Sequence, residues 1–415
     1  MLYDRWRQVA REFSSECAVR DLAAKRSWTF AQLDALAENG ADGPIVFPQG
    51  PAVDFIASVL KGWKSKAVVC PLEPDQRRPE ILAPPKHIAH VKITSATTGP
   101  ARLVALTAEQ LAADARNIVS TMGLRRDWSN LAVISLAHSY GFSNLVTPLL
   151  LHGIPLVVSG SPLPENVRSA LQQASAVTLA GVPALWRAWL GGGAVSDRIR
   201  LAISAGAPLP LELEGEVSAK TGVKVHNFYG SSECGGIAYD RTNSPRRDAN
   251  CVGTAMDNVD LRVGSDGCLE VRSDAVAETY WPVTDERLAE GCFRTSDLAE
   301  IRGGAVSLRG RASDLINVAG RKVAPDAIEA VLASHGRVRH CVVFGVAEPD
   351  RDKIVACVAA EKGTSADDLK KFLLERLPAW QVPRDFWFVA ELSPDQRGKL
   401  SRAAWRARYL ARQPG

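Results

Sequence analysis

Leu201-Ala202-Ile203-Ser204-Ala205-Gly206-Ala207-Pro208 is a short apolar run that opens into a turn of small residues. Residues 210–221 follow with apolar positions at helical spacing, and 224–228 form a second apolar run. Short apolar runs bounded by turn residues read as buried strands. A strand–helix–strand order predicts parallel pairing, with the helix as the crossover. The same rhythm extends toward the N-terminus. Residues 44–47, 67–70, 88–93, 131–136, 155–158 and 176–179 read as strands. Residues 107–122, 165–173 and 183–190 read as helices between them. An α/β fold with parallel sheets is therefore expected over the first two-thirds of the chain.

Toward the C-terminus the pattern changes. Residues 260–263, 268–272, 298–302 and 305–309 are short strands separated by Gly-Ser-Asp-Gly and Gly-Gly turns, the signature of antiparallel hairpins. From Ala312 a compact α+β unit is expected. Its helices fall at 325–334 and 365–376, and its strands at 338–346, 354–360 and 386–389. Ser365 is placed to cap its helix, with Asp367 and Asp368 in the first turn, where carboxylates favour the helix dipole. The 415 residues accommodate two to four domains. The expected architecture is a large N-terminal domain (1–311) of layered α/β sheets with a small β-barrel-like subdomain. A small, mobile α+β C-terminal domain (312–415) follows.

Composition narrows the functional classes. With 46% hydrophobic and 23% charged residues, the chain is an ordinary globular sequence, which excludes extended disorder, collagen and coiled coil. No run of about 18 apolar residues occurs, so no membrane span is expected. The charge-free stretch 131–164 is interrupted by His138, Asn144, His152 and several Gly and Pro. The N-terminus, Met1-Leu2-Tyr3-Asp4-Arg5-Trp6, is charged at once and does not read as a secretory signal. Eight cysteines occur without a CxxC pair or clustered His, which fits a reducing, cytoplasmic setting. A net charge of +4 is too mild for a nucleic-acid partner. Residues 312–415 hold 17 Lys/Arg against 13 Asp/Glu, whereas the rest of the chain balances at 33 each. The surplus gathers near the end, at Arg397, Lys399, Arg402, Arg406, Arg408 and Arg412.

Five stretches carry chemistry. Thr94-Ser95-Ala96-Thr97-Thr98-Gly99-Pro100-Ala101-Arg102 packs four hydroxyls, a glycine and a cation after an expected strand. Hydroxyls, backbone N–H groups and a cation suit a polyphosphate; a polar Ser/Thr turn is the plainer reading. The spacing is not that of a Walker A loop. The turn Ser204–Pro208 lies at a strand's carboxyl end, where α/β sheets bind ligands, though tight strand–helix packing explains it as well. Asn227-Phe228-Tyr229-Gly230-Ser231-Ser232-Glu233 offers an aromatic for a nucleobase, a hydroxyl for a phosphate and a carboxylate for Mg²⁺. Phe293-Arg294-Thr295-Ser296-Asp297-Leu298 offers an acid for ribose hydroxyls, or simply a surface ion pair. Arg397-Gly398-Lys399-Leu400-Ser401-Arg402 is a basic turn.

In order and spacing, these stretches together resemble the adenylate-forming superfamily of acyl-CoA and aryl-CoA ligases, nonribosomal adenylation domains and luciferases. Thr94–Arg102 resembles the phosphate loop TSGSTGxPK, Asn227–Glu233 the element YGxTE, and Phe293–Leu298 the element YRTGDL. Gly310-Arg311-Ala312-Ser313-Asp314-Leu315-Ile316, continuing to Pro325, resembles GRxxDxIKxxGxxIxP. Trp28-Thr29-Phe30-Ala31-Gln32-Leu33 and Gly181-Val182-Pro183-Ala184-Leu185 are looser matches, so the likeness runs over about residues 28–402. The chain looks like a member shortened ahead of Thr94.

The resemblance implies an AMP-forming ligase that activates a carboxylic acid with ATP and Mg²⁺. The acyl group then passes to the thiol of coenzyme A or of a carrier-protein phosphopantetheine. Thr94, Ser95, Thr97, Thr98, Gly99 and Arg102 would hold phosphates. Gly206, Ala207, Pro208, Tyr229 and Gly230 would frame adenine, Ser232 would touch the α-phosphate and Glu233 would ligate Mg²⁺. Asp297 would hold the ribose with Arg311 nearby, and Lys399 would act in adenylation. Ser313 matches the hinge about which the C-terminal domain rotates, and Gly320 lies toward the thiol. The chain departs from the pattern at Ala96 and Ser296, each in place of Gly, at Arg102 in place of Lys, and at Ser313 in place of Asp or Lys. His138 and Tyr140 match the element beside the acyl pocket. No Asp or Glu occurs between 131 and 164 to pair an α-ammonium, so a fatty or aromatic acid is expected. The alternatives are a stand-alone amino-acid adenylation enzyme and a non-catalytic nucleotide-binding protein.

Overall fold

The structure, a computed structural model, describes residues 1–82, 84–94, 102–318, 320–347, 352–392 and 401–412. Among these residues the largest hydrogen-bonded sheet has fourteen strands. Six neighbours in it are parallel: Val225–Ser231, Ile199–Ser204, Val177–Gly181, Ser129–Ala132, Leu156–Val158 and Cys17–Asp21. Beyond Val225–Ser231 the same sheet turns antiparallel through Gly235–Tyr239, Cys251–Ala255, Ala305–Arg311, Cys292–Arg302, Cys268–Arg272 and Asp260–Val263. The strand-and-helix rhythm and the hairpin region seen in the sequence are thus two ends of one hydrogen-bonded path.

The helices form where local chemistry favours them. Thr107 caps Ala108–Met122 by accepting from the Gln110 amide, while the Gln110 side chain returns to the Thr107 amide. Gly123, in the left-handed region, ends that helix. Pro183 opens Pro183–Gly191, whose buried Trp186 and Trp189 pack edge to face. A second sheet of five strands runs in the order Thr279–Trp281, Leu103–Thr107, Ile88–Ile93, Val68–Val69, Ile45–Val46. It brings Tyr280 opposite Val104, beside the strand that leaves the phosphate-loop sequence.

From residue 312 onward a three-stranded sheet pairs Lys353–Ala360 with Val338–Val346 on one side and Asp385–Phe388 on the other. Alternate residues face opposite cores, as the period of two requires. Val343, Ile354 and Ala356 pack with Pro325–Ala333 and Ala366–Leu374. Val342, Phe344 and Val355 pack with Trp405 and Tyr409 of Arg402–Arg412. Ser365 caps its helix as expected. The terminal helix is therefore an amphipathic element seated on a sheet.

Two of the differences from the sequence expectation bear on the site. The strand read at 131–136 is Ser129–Ala132. The chain leaves the sheet there because it doubles back tightly: a Cβ at Gly141 would lie 1.9 Å from the Ser135 carbonyl oxygen. The strand read from 298 starts at Cys292 and runs to Arg302, with a bulge between Asp297 and Ala299. Among the described residues no helix is long and apolar enough to cross a membrane.

Candidate active site

A cavity of about 310 Å³ lies where the parallel strands give way to antiparallel ones. Strand Val225–Ser231 borders both regimes, and its last residues Tyr229, Gly230 and Ser231 line the cavity, followed by Ser232 and Glu233. The turn after Ile199–Ser204 adds Ala205 and Gly206, while Ala207 and Pro208 do not reach the cavity wall. Thr295, Ser296, Asp297 and Arg311 arrive from the antiparallel side. Carboxyl ends of strands at such a switch point are where α/β sheets hold ligands.

Asp297 and Arg311 face each other across neighbouring strands. The Arg311 guanidinium donates to Asp297 Oδ1 at 3.1 Å, and the Tyr229 hydroxyl donates to Oδ2 at 2.5 Å. A carboxylate offers about four acceptor positions, so these two donors orient it and leave capacity for two further hydroxyls. Burial first, then the Asp297 charge and hydrogen bond, hold the Tyr229 phenol well above its ordinary range, so it remains a donor. Ser296 is not among the residues with positive φ, so serine meets no backbone obstacle where the family pattern has glycine.

Glu233 is held on both sides. Its amide donates to Ser231 Oγ at 3.2 Å, its carbonyl accepts from the Ala277 amide at 2.8 Å, and Tyr280 donates to Oε1 at 2.9 Å. Ser232 Oγ lies 2.8 Å from Ser139 Oγ, which ties the Glu233 side of the cavity to the His138 element. After Glu233 the chain passes through Gly235 at φ +67°, where a Cβ would lie 2.0 Å from Asp114 Oδ1. Asp114 accepts from the Gly236 amide at 3.1 Å and from Ser143 Oγ at 2.6 Å.

His138, Ser139, Tyr140, Ser143 and Asn144 form another part of the wall. His138 is exposed there, and its Nδ1 accepts from the Tyr140 amide at 3.3 Å. Burial, with a smaller push from Tyr239, raises the Tyr140 phenol; its ring lies 5.9 Å from that of Phe228. Phe142–Val146 forms a π-helical turn, a form that recurs at functional sites. Stretch 131–164 has no acid of its own, but the fold supplies two from elsewhere. Asp114 sits behind Ser143, and Glu73 accepts from Ser135 Oγ at 2.7 Å. Asp114 is 1% exposed with both oxygens engaged, so it does not present a charge to the cavity.

Thr94 lines the cavity and closes the phosphate-loop stretch at its base, where its amide donates to the Arg102 carbonyl at 2.8 Å. Arg102 is turned to Asp285, at 2.8 Å, and lies over the Tyr280 ring at 5.0 Å. Ser95, Thr97, Thr98, Gly99 and Lys399 lie outside the described residues. Ser313 reaches the cavity from the 3₁₀ turn Ala312–Asp314. Gly320 belongs to the turn between Ile316–Val318 and Arg321–Val323, away from the cavity wall, with its amide on Asn317 Oδ1 at 2.9 Å. Among the described residues no cluster of three His, Cys, Asp or Glu is arranged for a metal.

Sequence reading missed Tyr280, Asp285, Ser139 and Asp114. Asp114 carried a local signal: it is an acid on a helix face whose buried residues, Asn117 apart, are Leu111, Ala112, Ala113, Ala115, Ile118 and Met122.

Two family models match this chain. The AMP-binding enzyme model covers residues 49–281, and the AMP-binding enzyme C-terminal domain model covers residues 327–399. The chain belongs to the AMP-binding enzyme family. It is 29% identical over 340 residues to the probable 2-succinylbenzoate–CoA ligase of Mycobacterium tuberculosis, covering 78% of this chain and 85% of that protein. It is 25% identical over 401 residues to feruloyl-CoA synthase of Amycolatopsis sp, covering 90% and 80%. The fold matches an ATP-bound crystal structure of MatB from Rhodopseudomonas palustris with a TM-score of 0.84 at 21% identity, over 99% of each chain.

Proposed function

We propose that this protein is an AMP-forming ligase that activates a carboxylic acid lacking an α-amino group, an aryl acid before a fatty one. The acyl group is then passed to the thiol of coenzyme A. The observation that carries this reading is the oriented Asp297 carboxylate, set between Tyr229 and Arg311 on the same cavity as Glu233 and Ser232. One group suits a ribose and the other a metal-bound phosphate. The relatives' names, ligases of 2-succinylbenzoate and feruloyl substrates with coenzyme A, support the aryl acid and the acceptor. A carrier-protein phosphopantetheine is the other thiol this chemistry accepts.

The residues fit Mg²⁺ and ATP. Magnesium keeps several waters and takes one or two carboxylates with substrate phosphates, which a single oriented Glu233 satisfies. When bound, the cation neutralises charge that develops on the phosphate oxygens. In the first half-reaction a carboxylate oxygen of the acid attacks the α-phosphorus, and pyrophosphate leaves. Asp297 holds the ribose, Ser232 meets the α-phosphate, and Thr94 with Ser95, Thr97, Thr98 and Gly99 takes the outer phosphates. Gly206 and Gly230 flank adenine with Tyr229, while Ala207 and Pro208 shape the turn behind Gly206. His138 and Tyr140 border the acyl chain. Lys399 stabilises the transferring oxygens. In the second half-reaction the thiol attacks the acyl carbonyl and AMP leaves. Positioning and charge stabilisation supply the rate. Residues 1–311 and 312–415 act as two units that reorient about Ser313 between the steps, with Gly320 toward the thiol. No carboxylate lines the cavity beside His138 and Tyr140, which disfavours an amino acid, whose buried ammonium would lack a partner.

The test is exchange of labelled pyrophosphate into ATP across a panel of aryl and fatty acids, followed by comparison of coenzyme A with a carrier protein as acceptor. Exchange with an aryl acid is expected. Retained ATP binding without exchange on any acid refutes the ligase reading.

A further inference from the structure

Tyr280 stands between two parts of the site that the sequence keeps far apart. It belongs to Thr279–Trp281, which pairs antiparallel with Leu103–Thr107 and so sits beside the residue that ends the phosphate-loop stretch. Its hydroxyl donates to Glu233 Oε1 at 2.9 Å. Its ring carries the Arg102 guanidinium, 5.0 Å from the centroid. Arg102 is anchored in turn on Asp285 at 2.8 Å, and Arg287 shares that carboxylate at 2.7 Å. The backbone completes the arrangement: the Ala277 amide donates to the Glu233 carbonyl, and the Glu278 amide to the Ala105 carbonyl. Tyr280 is 5% exposed and Glu233 is half-buried, so the hydrogen bond is partly shielded from water.

We propose that Tyr280 is a positioning residue that couples Glu233, as the carboxylate for the divalent cation, to Arg102 at the exit of the phosphate loop. This rests on the reading of Glu233 given above. The phenol has one proton to give and gives it to Oε1, so the carboxylate cannot swing freely when a cation approaches. The same ring supports a guanidinium that lysine would not match, because a planar delocalised cation stacks on an aromatic face and a compact ammonium does so less well. Arg102 in place of the family's lysine is therefore explained by its neighbours. It braces the aromatic that aims the metal ligand, and Asp285 keeps it there.

The experiment measures metal binding directly, with Mn²⁺ as a spectroscopic probe titrated into full-length protein with ATP and no acid. Tyr280→Phe keeps the ring and removes the hydroxyl. Loss of a hydrogen bond to a charged group is expected to weaken Mn²⁺ binding about tenfold or more. AMP affinity without metal should stay within about twofold, which shows the pocket intact. In a Glu233→Gln background the same substitution should add less than about twofold, because the charged acceptor is gone. Arg102→Ala should weaken Mn²⁺ binding several-fold in otherwise unchanged protein and far less in the Tyr280→Phe background. Three results overturn the proposal: unchanged Mn²⁺ affinity in Tyr280→Phe, equal loss of metal-free AMP binding, or a full effect in the Glu233→Gln background. A full Arg102→Ala effect without the Tyr280 hydroxyl overturns the coupling. Wild-type protein that binds no Mn²⁺ with ATP overturns the assignment of Glu233. Acid activation is not used in any of these measurements, so failure of the ligase reading is seen separately.

Discussion

Asp297→Asn is the sharpest probe of the nucleotide side. The substitution keeps shape but leaves one acceptor oxygen and one NH₂ donor. The Arg311 guanidinium, which donates to Oδ1 at 3.1 Å, has no acceptor, so the remaining oxygen must face it. The NH₂ then faces the Tyr229 hydroxyl, which turns from donor to acceptor. Acceptor capacity toward a ribose falls from two hydroxyls to one, and the charge is lost. A hydrogen bond to a charged group contributes about 1.5–3 kcal/mol. The Asp297 side chain is 19% exposed, which places the loss toward the lower part of that range for each bond. AMP affinity should fall about 10–100-fold, at roughly 1.4 kcal/mol per factor of ten. Calorimetric titration with AMP and with 2′,3′-dideoxy-AMP separates the causes. Wild type should prefer AMP strongly, and the variant should keep only a reduced preference. AMP affinity within about threefold of wild type refutes the ribose assignment. So does an equal loss for the dideoxy ligand, which would show that the pocket was distorted.

Three further perturbations test other parts of the argument. Lys399→Ala should abolish acid-dependent pyrophosphate exchange yet largely spare thioester formation from supplied acyl-adenylate, and equal loss in both refutes its assignment to the first step. Lys224 reaches Glu214 at 2.5 Å and Asp240 at 2.6 Å with little exposure, so Lys224→Met should cost about 3–5 kcal/mol in urea unfolding. The exposed pair Lys220–Glu216 should yield no more than about 0.5 kcal/mol, and similar values for the two refute the burial argument. Burial, reinforced by Lys92, holds His90 well below its ordinary 6.5. The unfolded chain therefore binds a proton that the folded one refuses, and stability should drop as pH falls below about 6.5. His90→Phe should flatten that drop between pH 7 and 5.5, and an unchanged slope of the urea midpoint refutes it.

Much of this fold was readable because local rules and the final packing agree. Strand Ile88–Ile93 runs where its apolar spacing put it, and Thr107 and Ser365 cap the helices whose first turns advertise them. Many of the motif residues converge because they sit at or just past the end of a strand, with Asp297 at a bulge inside Cys292–Arg302, and the strand order does the gathering. What could not be read is pairing across long separations. Nothing in Glu278-Thr279-Tyr280-Trp281 announces Glu233 or Arg102 as partners, because the register that joins them is set by two different sheets. Asp114 was overlooked for the same reason, since its role depends on Gly236 and Ser143 arriving from other strands and turns. The π-helical turn Phe142–Val146 has no sequence period that separates it from an α-helix. The basic tail was readable as charge alone. Structure adds that Trp405 and Tyr409 seat it on the sheet, with Arg408 over Trp405 at 4.8 Å and Arg412 over Trp387 at 5.4 Å.

Ser313, the residue that the family resemblance matches to a hinge, also finds a physical account. Ser313 carries no charge, but its hydroxyl donates to Asp314 Oδ1 at 3.2 Å, and Asp314 Oδ2 accepts from Arg402 at 2.6 Å. Arg402 reaches Asp326 and Glu329 as well, each at 2.6 Å, so one guanidinium gathers three carboxylates that would otherwise repel one another. Gly310 lets this cluster approach the preceding strand: at φ +101°, a Cβ there would lie 3.0 Å from both Ala324 Cβ and Asp326 Oδ2. Arg402 also opens the terminal helix, three residues after Lys399 in the sequence. The chain on the C-terminal side of Lys399 is thereby fastened to the residue next to Ser313. In the two-unit reading proposed above, any rotation about Ser313 would carry that anchor, and the helix that Arg402 opens, with it.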